Sequence, residues 1–337
     1  MRLMKLAMAA LGAAALTGID AGAAQAQQPV KIRASWVAPV ANWASILLEK
    51  KDLARHLGKS YVLEPVRFAG TPPMIAALAN NELEIANLAY STFAIAVQNA
   101  GLTDLRVISD EFRDGAEGYY SQEYMVLGDG PIKKVEDLKG KVVATNAAGS
   151  AVDVAMRAML RKHGLEDKRD YTVVEAPFPT MRAMLAEKKV DLIPAVLPFS
   201  LDPELRRIAR TLFVQRDAIG VTQMIVWTAR KPFIDRNRPA LVDFMEDTLR
   251  IVRWYLDPAN HKAVTEIAAN VTKQPAERFE WLFTKQDAYH DPNMLPDLAA
   301  LQRNVDMTRD LGFVRSTIDV RQFSDLSIVE EAARRLR

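Results

Sequence analysis

The chain has 337 residues, with 44 Lys and Arg against 42 Asp and Glu, and no Cys. That length suits two domains. A formal charge of +2 gives no field for nucleic acid, and the missing thiols exclude disulfides, cysteine nucleophiles, cysteine-held zinc and iron–sulfur clusters.

Arg2 and Lys5 precede an apolar run from Leu6 to Leu16, and Ala24-Gln25-Ala26 supplies small residues beyond it. This is the pattern of a secretory signal peptide over residues 1–26, cleaved near Ala26. The run is too short for a hydrocarbon core, which needs about 20 residues. With no Cys behind the leader, there is no site for a lipid anchor.

Short strands then alternate with helices. Strands are expected at Val30–Val37, Tyr61–Phe68, Leu83–Leu88 and Leu105–Asp110, with helices at Asn42–Leu57, Met74–Asn80 and Thr92–Ala100. The same grammar restarts at Tyr124 and runs to about Val214. Its clearest unit is a strand at Lys141–Thr145, a small-residue turn at Asn146–Ser150, and a helix from Ala151 to His163 before Gly164. Val221–Ala229 carries the chain back to the first half. A long helix follows, with Leu241, Phe244, Met245, Leu249, Val252 and Leu256 at helical spacing. Helices at Lys262–Asn270, Ala276–Phe283 and Pro296–Leu311 complete the chain. The fold class is therefore α/β. Each half is a mostly parallel sheet flanked by helices, with a ligand crevice at the carboxyl ends of the strands.

Three segments carry a resemblance. "IKKVEDLKGKVVAT", then Gly149-Ser150 and "AMLRKHGL", resembles the second lobe of periplasmic solute-binding proteins of ABC importers, of the nitrate/sulfonate/taurine type. That group includes binders of the thiamine pyrimidine precursor. "VRFAGTPPMIAALANNELEIANLAY" resembles the same family's first lobe, with Glu84 where Asp is usual. "APFPTMRAMLAEKKVDLIPAVLPF" resembles the equivalent unit of the second lobe. The resemblance implies a two-lobe type II binding-protein fold. Residues 27–120 form the first part of lobe one, 121–220 form lobe two, and 221–337 return to lobe one with C-terminal helices. The hinge crossings are expected near Gly118–Tyr124 and Ile219–Val226. The resemblance also implies a soluble periplasmic monomer that closes on a small organic ligand and presents it to a membrane permease. It does not itself span the membrane or bind nucleic acid.

Candidate ligand-binding residues lie on the turns after strands. They are Ser35, Trp36 and Asn42, then Gly70 and Thr71, then Tyr90 and Ser91 in lobe one. In lobe two they are Thr145, Asn146, Gly149, Ser150 and Ala151, with Phe178 and Pro198 as apolar walls. Backbone N–H groups at Gly149, Ser150 and Ala151, where a strand becomes a helix, favour an anionic group. Ser91 also suits an N-cap, and Trp36 equally suits the core. Arg33, Arg113 and Arg182 are the available counter-charges, and nothing in the sequence chooses among them. Asp110-Glu111 and the pair Glu82 and Glu84 read as solvated loop charges.

The four His are dispersed and no HExxH or GxSxG is present, so no catalytic residue, metal or cofactor is assigned. The expected ligand is an organic anion, an alkane or aryl sulfonate or an aromatic carboxylate. The alternatives are a neutral heterocycle such as a thiamine pyrimidine precursor, or a secreted enzyme on the same fold.

Overall fold

A computed structural model describes residues 28–337. The leader expected at residues 1–26 lies outside them.

The first sheet contains β1 (Val30–Trp36), β2 (Tyr61–Arg67), β3 (Ala86–Ala89) and β4 (Leu105–Asp114), joined late by β10 (Thr222–Arg230). β1 pairs with β2 in parallel, and a parallel bridge from Ala34 to Ile85 links them to β3. β10 lies antiparallel between β3 and β4. The second sheet contains β5 (Glu123–Leu127), β6 (Lys141–Thr145), β7 (Tyr171–Glu175), β8 (Ile193–Ala195) and β9 (Ala209–Val214). β6 pairs with β7, a parallel bridge from Val143 to Leu192 brings in β8, and β5 lies antiparallel between β8 and β9. The orders are therefore β2-β1-β3-β10-β4 and β7-β6-β8-β5-β9. They match position by position. In each sheet four strands run one way, and the single reversed strand is the one arriving from the other lobe.

β3 is buried throughout, and β10 along all but its last residue, as strands covered on both faces must be. The covering helices in lobe one are α1 (Met74–Ala79) and α2 (Tyr90–Gln98). Lobe two supplies α3 (Ala151–Lys162), α4 (Phe178–Ala186), α5 (Pro203–Ile208) and α6 (Gln215–Ile219). After β10 come α7 (Lys231–Leu256), α8 (His261–Thr272), α9 (Leu298–Asp310) and α10 (Ser327–Arg335). α7 kinks at Asn237, two residues before Pro239, whose ring and missing N–H break the ladder there. Beyond the kink Leu241, Phe244, Met245, Leu249 and Val252 face the core.

Two expected helices are replaced. Asn42–Leu57 forms 3-10 turns at Trp43–Ser45 and Leu47–Leu53, interrupted by non-helical Lys50. The Asn42 side chain is drawn into accepting the Val37 and Ala38 N–H groups, which holds the segment in a turn. Ala276–Phe283 is helical only over Ala276–Phe279, and Phe283 then takes a positive φ of 56°.

Candidate functional site

The carboxyl ends of the two sheets face each other across a cavity of about 110 Å3. One water needs roughly 10–15 Å3 of such space, so the cavity suits a small organic molecule. β1 ends at its wall with Val37, Ala38 and Asn42, the turn after β2 brings Gly70 and Thr71, and β4 brings Phe112 and Asp114. Asn146, Ser150, Ala151 and Val152 approach from the β6–α3 turn, Phe178 from the start of α4, and Leu197 from the turn after β8. Tyr120 and Gln122 lie on the first crossing, Met224 and Ile225 on β10, and Asp287, Ala288 and His290 on the loop before α9.

Of the residues expected from sequence, Asn42, Gly70, Thr71, Asn146, Ser150, Ala151 and Phe178 border this space. The others are placed elsewhere. Ser35 is buried behind the wall and donates to Asn87 Oδ1 at 2.7 Å. Trp36 stacks under Arg67, 5.3 Å from the ring centre. Thr145 is fully buried in the sheet. Pro198 follows a cis peptide bond and stands behind Leu197.

Tyr90, Ser91 and Gly149 serve the joint between the lobes rather than the wall. The Tyr90 hydroxyl donates to the Ala151 carbonyl at 3.0 Å, and the Ser91 hydroxyl to the Gly149 carbonyl at 2.8 Å. Ser91 is no N-cap, because α2 begins one residue before it with Ala89 in the cap position. At the rim, Arg161 in α3 donates to the Asp310 carbonyl at the end of α9, at 2.8 Å.

The oxyanion cradle is narrower than the turn suggests. The Gly149 N–H donates to Asp153 Oδ2 at 2.9 Å, and the Ser150 N–H to the Ala147 carbonyl at 3.2 Å. The Ser150 hydroxyl donates to Asn146 Oδ1 at 2.8 Å. Among the described residues the Ala151 and Val152 N–H groups have no acceptor, and they open α3 beside the cavity.

Among the described residues no Lys or Arg borders the cavity. Arg33 is bound to Glu84 at 2.5 Å, Arg113 lies 3.6 Å from Asp291, and Arg182 pairs with Asp202 and Glu204. None of the three supplies the counter-charge. The charged groups near the cavity are carboxyls, with His290 the one basic side chain in the lining. Asp110, Glu111 and Asp114 are buried, not solvated as the sequence suggests for the first two, because β4 runs on through them. Burial pushes the Asp114 carboxyl up to about 7, opposed only by hydrogen bonds from the Gln122 N–H at 2.6 Å and the Ser121 hydroxyl at 2.8 Å. Burial likewise pushes Glu111 up to about 7, although Asn42, Asn87 and the Trp43 N–H all donate to it. His290 Nδ1 lies 3.0 Å from the Glu111 carbonyl oxygen and so carries the hydrogen that it donates. Its Nε2 lies 3.7 Å from Asp287. Burial opposes charging His290, yet Asp287, the Glu111 carbonyl and Asp110 hold it above the ordinary value. Sequence reasoning did not find Asn87, Asp114, Gln122, Asp287 or His290. The one local signal is the run of charges at and just beyond the end of the strand expected at Leu105–Asp110.

The profile of the NMT1-like family matches residues 25–269. The chain belongs to the NMT1-like family. Among curated proteins, none matches by sequence. Solved structures of similar shape include the alkanesulfonate-binding protein SsuA from Xanthomonas axonopodis pv. citri bound to MOPS. It is 18% identical with TM-score 0.70, over 88% of this chain and 99% of that one. The periplasmic nitrate-binding protein NrtA from Synechocystis PCC 6803 is 14% identical with TM-score 0.70, over 92% of this chain and 89% of that one. The desulfurization enzyme DSZB is 14% identical with TM-score 0.65, over 91% of this chain and all of that one. These likenesses establish the fold, a mixed α/β two-lobe binding-protein architecture shared by NMT1-like members, binding proteins and an enzyme. Among the described residues no helix is long and apolar enough to cross a membrane.

Proposed function

We propose that this NMT1-like protein is the exported solute-binding component of an ABC importer. In this reading it is a periplasmic monomer that captures one small organic molecule by hinge closure and hands it to a membrane permease. One observation carries the reading. A small cavity lies between two sheets of identical order, and side chains of one lobe bond to backbone carbonyls of the other beside it. Hinge closure around a ligand buries it in this way. Residues 27–120 and 221–337 then move as one lobe and 121–220 as the other, about the crossings before β5 and β10. Asn42, Thr71, Asn146, Ser150, Ala151 and Phe178 touch the ligand. Adding the solute that co-purifies from the periplasm should raise the melting temperature and compact the protein in scattering. Identical curves with and without it would remove the proposal.

The likeness to a desulfurization enzyme keeps catalysis as a second reading. Against it, Ser150 is bonded to Asn146, and His290 is turned to the Glu111 carbonyl and Asp287. Neither Ser150 nor His290 is therefore free to pair as nucleophile and base. Recovery of product in molar excess over protein would favour the enzyme. Sulfonate and nitrate binding belong to the neighbouring structures. For this chain an organic anion would have to rest on the Ala151 and Val152 N–H groups and on hydroxyls, since the lining holds no cationic Lys or Arg.

A further inference from the structure

We infer that the cavity takes an organic cation, with an ammonium or amidinium group seated against Asp114 and the organic body against Phe112, Phe178 and Leu197. This rests on the solute-capture reading and names the class of solute. Asp114 borders the space at 3% exposure. Its two hydrogen bonds come from neutral donors, and no cationic side chain offsets it. Glu111 lies behind Asn42 and Asn87, also held by neutral donors. His290, the one basic side chain in the lining, lies 3.7 Å from Asp287 and also acts on Asp110 and Glu111, whereas Asp114 has only its neutral donors.

A buried carboxylate without a counter-charge is costly, and its ordinary relief is a cation or a proton. Burial raises the affinity of Asp114 for a proton, and the groups that oppose this rise, the Gln122 N–H and the Ser121 hydroxyl, are neutral. An anion entering the same space would meet Asp114 and Asp287, and His290, the one basic side chain in the lining, is already turned to Asp287; what remains in its favour is neutral, the first N–H groups of α3 and the lining hydroxyls and amides. A helix N-terminus contributes about 0.3–1 kcal/mol, up to about 2 when partly buried. That is less than the several kcal/mol that an unpaired buried charge costs. The Ala151 and Val152 N–H groups instead suit a neutral acceptor atom on the same solute.

Four probes with one ring and different charge decide the matter. They are benzamidine, benzamide, benzoate and benzenesulfonate, each titrated into dialysed mature protein by calorimetry at pH 8. The expected order is benzamidine tightest by about tenfold or more over benzamide, with both anions weaker still. Asp114→Asn should cost benzamidine about ten- to a hundredfold and leave benzamide within a few-fold. If that variant does not fold, the order in the wild type stands as the test. Tighter binding of benzoate or benzenesulfonate, or no binding of benzamidine at millimolar concentration, overturns the cation assignment. Compaction by the co-purified solute is read separately, so solute capture survives if only the charge class fails.

Discussion

Tyr90 and Ala151 stand on opposite lobes, and the Tyr90 hydroxyl donates to the Ala151 carbonyl at 3.0 Å. One residue along, the Ser91 hydroxyl reaches the Gly149 carbonyl at 2.8 Å. The side chains that open α2 thus grip the backbone that opens α3. The same turn of α3 borders the cavity, so ligand and latch act on one piece of chain.

Tyr90→Phe and Ser91→Ala each remove a bond that exists only while the lobes touch. A neutral hydrogen bond contributes about 0.5–1.5 kcal/mol net. Each substitution should therefore weaken ligand affinity by about two- to tenfold, and the pair by more. The stability of the ligand-free protein should change less, because water satisfies these groups when the lobes part. Calorimetry on both variants checks this. Wild-type affinity in the double variant would show that the two bonds do not hold the closed form.

Gly149 combines two constraints. Its φ of +76° disfavours any side chain, and a Cβ there would lie 2.9 Å from Ile95 Cδ1 on the facing helix. Gly149→Leu should lower stability by about 1–2 kcal/mol through the backbone alone. It should lower affinity much further by propping the lobes apart. Ile95→Ala in the same chain should recover part of the affinity and none of the backbone cost. If Ile95→Ala changes nothing, the steric contact does not limit closure.

Asp110, Glu111 and Asp114 predict an unusual pH dependence. Burial raises their folded values to about 6, 7 and 7 from ordinary values near 4. His290 is raised as well, burial being outweighed by Asp287, the Glu111 carbonyl and Asp110. The remaining charges that face the group are Arg113 and Asp291, both acting on Asp110. Each raised group binds its proton more tightly when folded. Its stabilising contribution is present below the unfolded value and lost as pH rises through the folded value. Unfolding free energy from urea titration should thus fall between about pH 5 and pH 8. Glu136, which is exposed, Asp137, half-buried, and Asp170, buried, are shifted downward by hydrogen bonds, so their opposite effect falls below about pH 4. Stability that climbs from pH 5 to pH 8 would contradict the dominance of burial over the hydrogen bonds and charges that oppose it at the β4 carboxyls.

Much of this architecture is legible in the residues. Alternating strands and helices, the small-residue turn at 146–150 and the return strand near Val221 all follow from local periodicity and turn chemistry. So do the turns at Gly70–Thr71 and Ser150–Ala151, because ligand crevices form where strands end. What is not legible depends on distance along the chain. Asp287 and His290 come from a loop far in sequence from β4, and nothing local marks them as cavity residues. Asp110 and Glu111 look solvated because charges usually are. Only the length of β4 and the cover from Trp43 and His290 put them inside. Tyr90, Ser91 and Gly149 are expected on turns after strands; Gly149 lies on one while Tyr90 and Ser91 open α2, and a linear reading does not say whether such residues meet a ligand or each other.

The account turns on capture by closure, and small-angle scattering tests it most directly. The protein should be measured after removal of bound solute by unfolding and refolding, then again with the co-purified solute restored at saturation. The predicted result is a smaller radius of gyration with solute, and a Tyr90→Phe/Ser91→Ala chain that compacts only at higher solute concentration. Superimposable profiles for the solute-free and solute-saturated wild type would contradict the account.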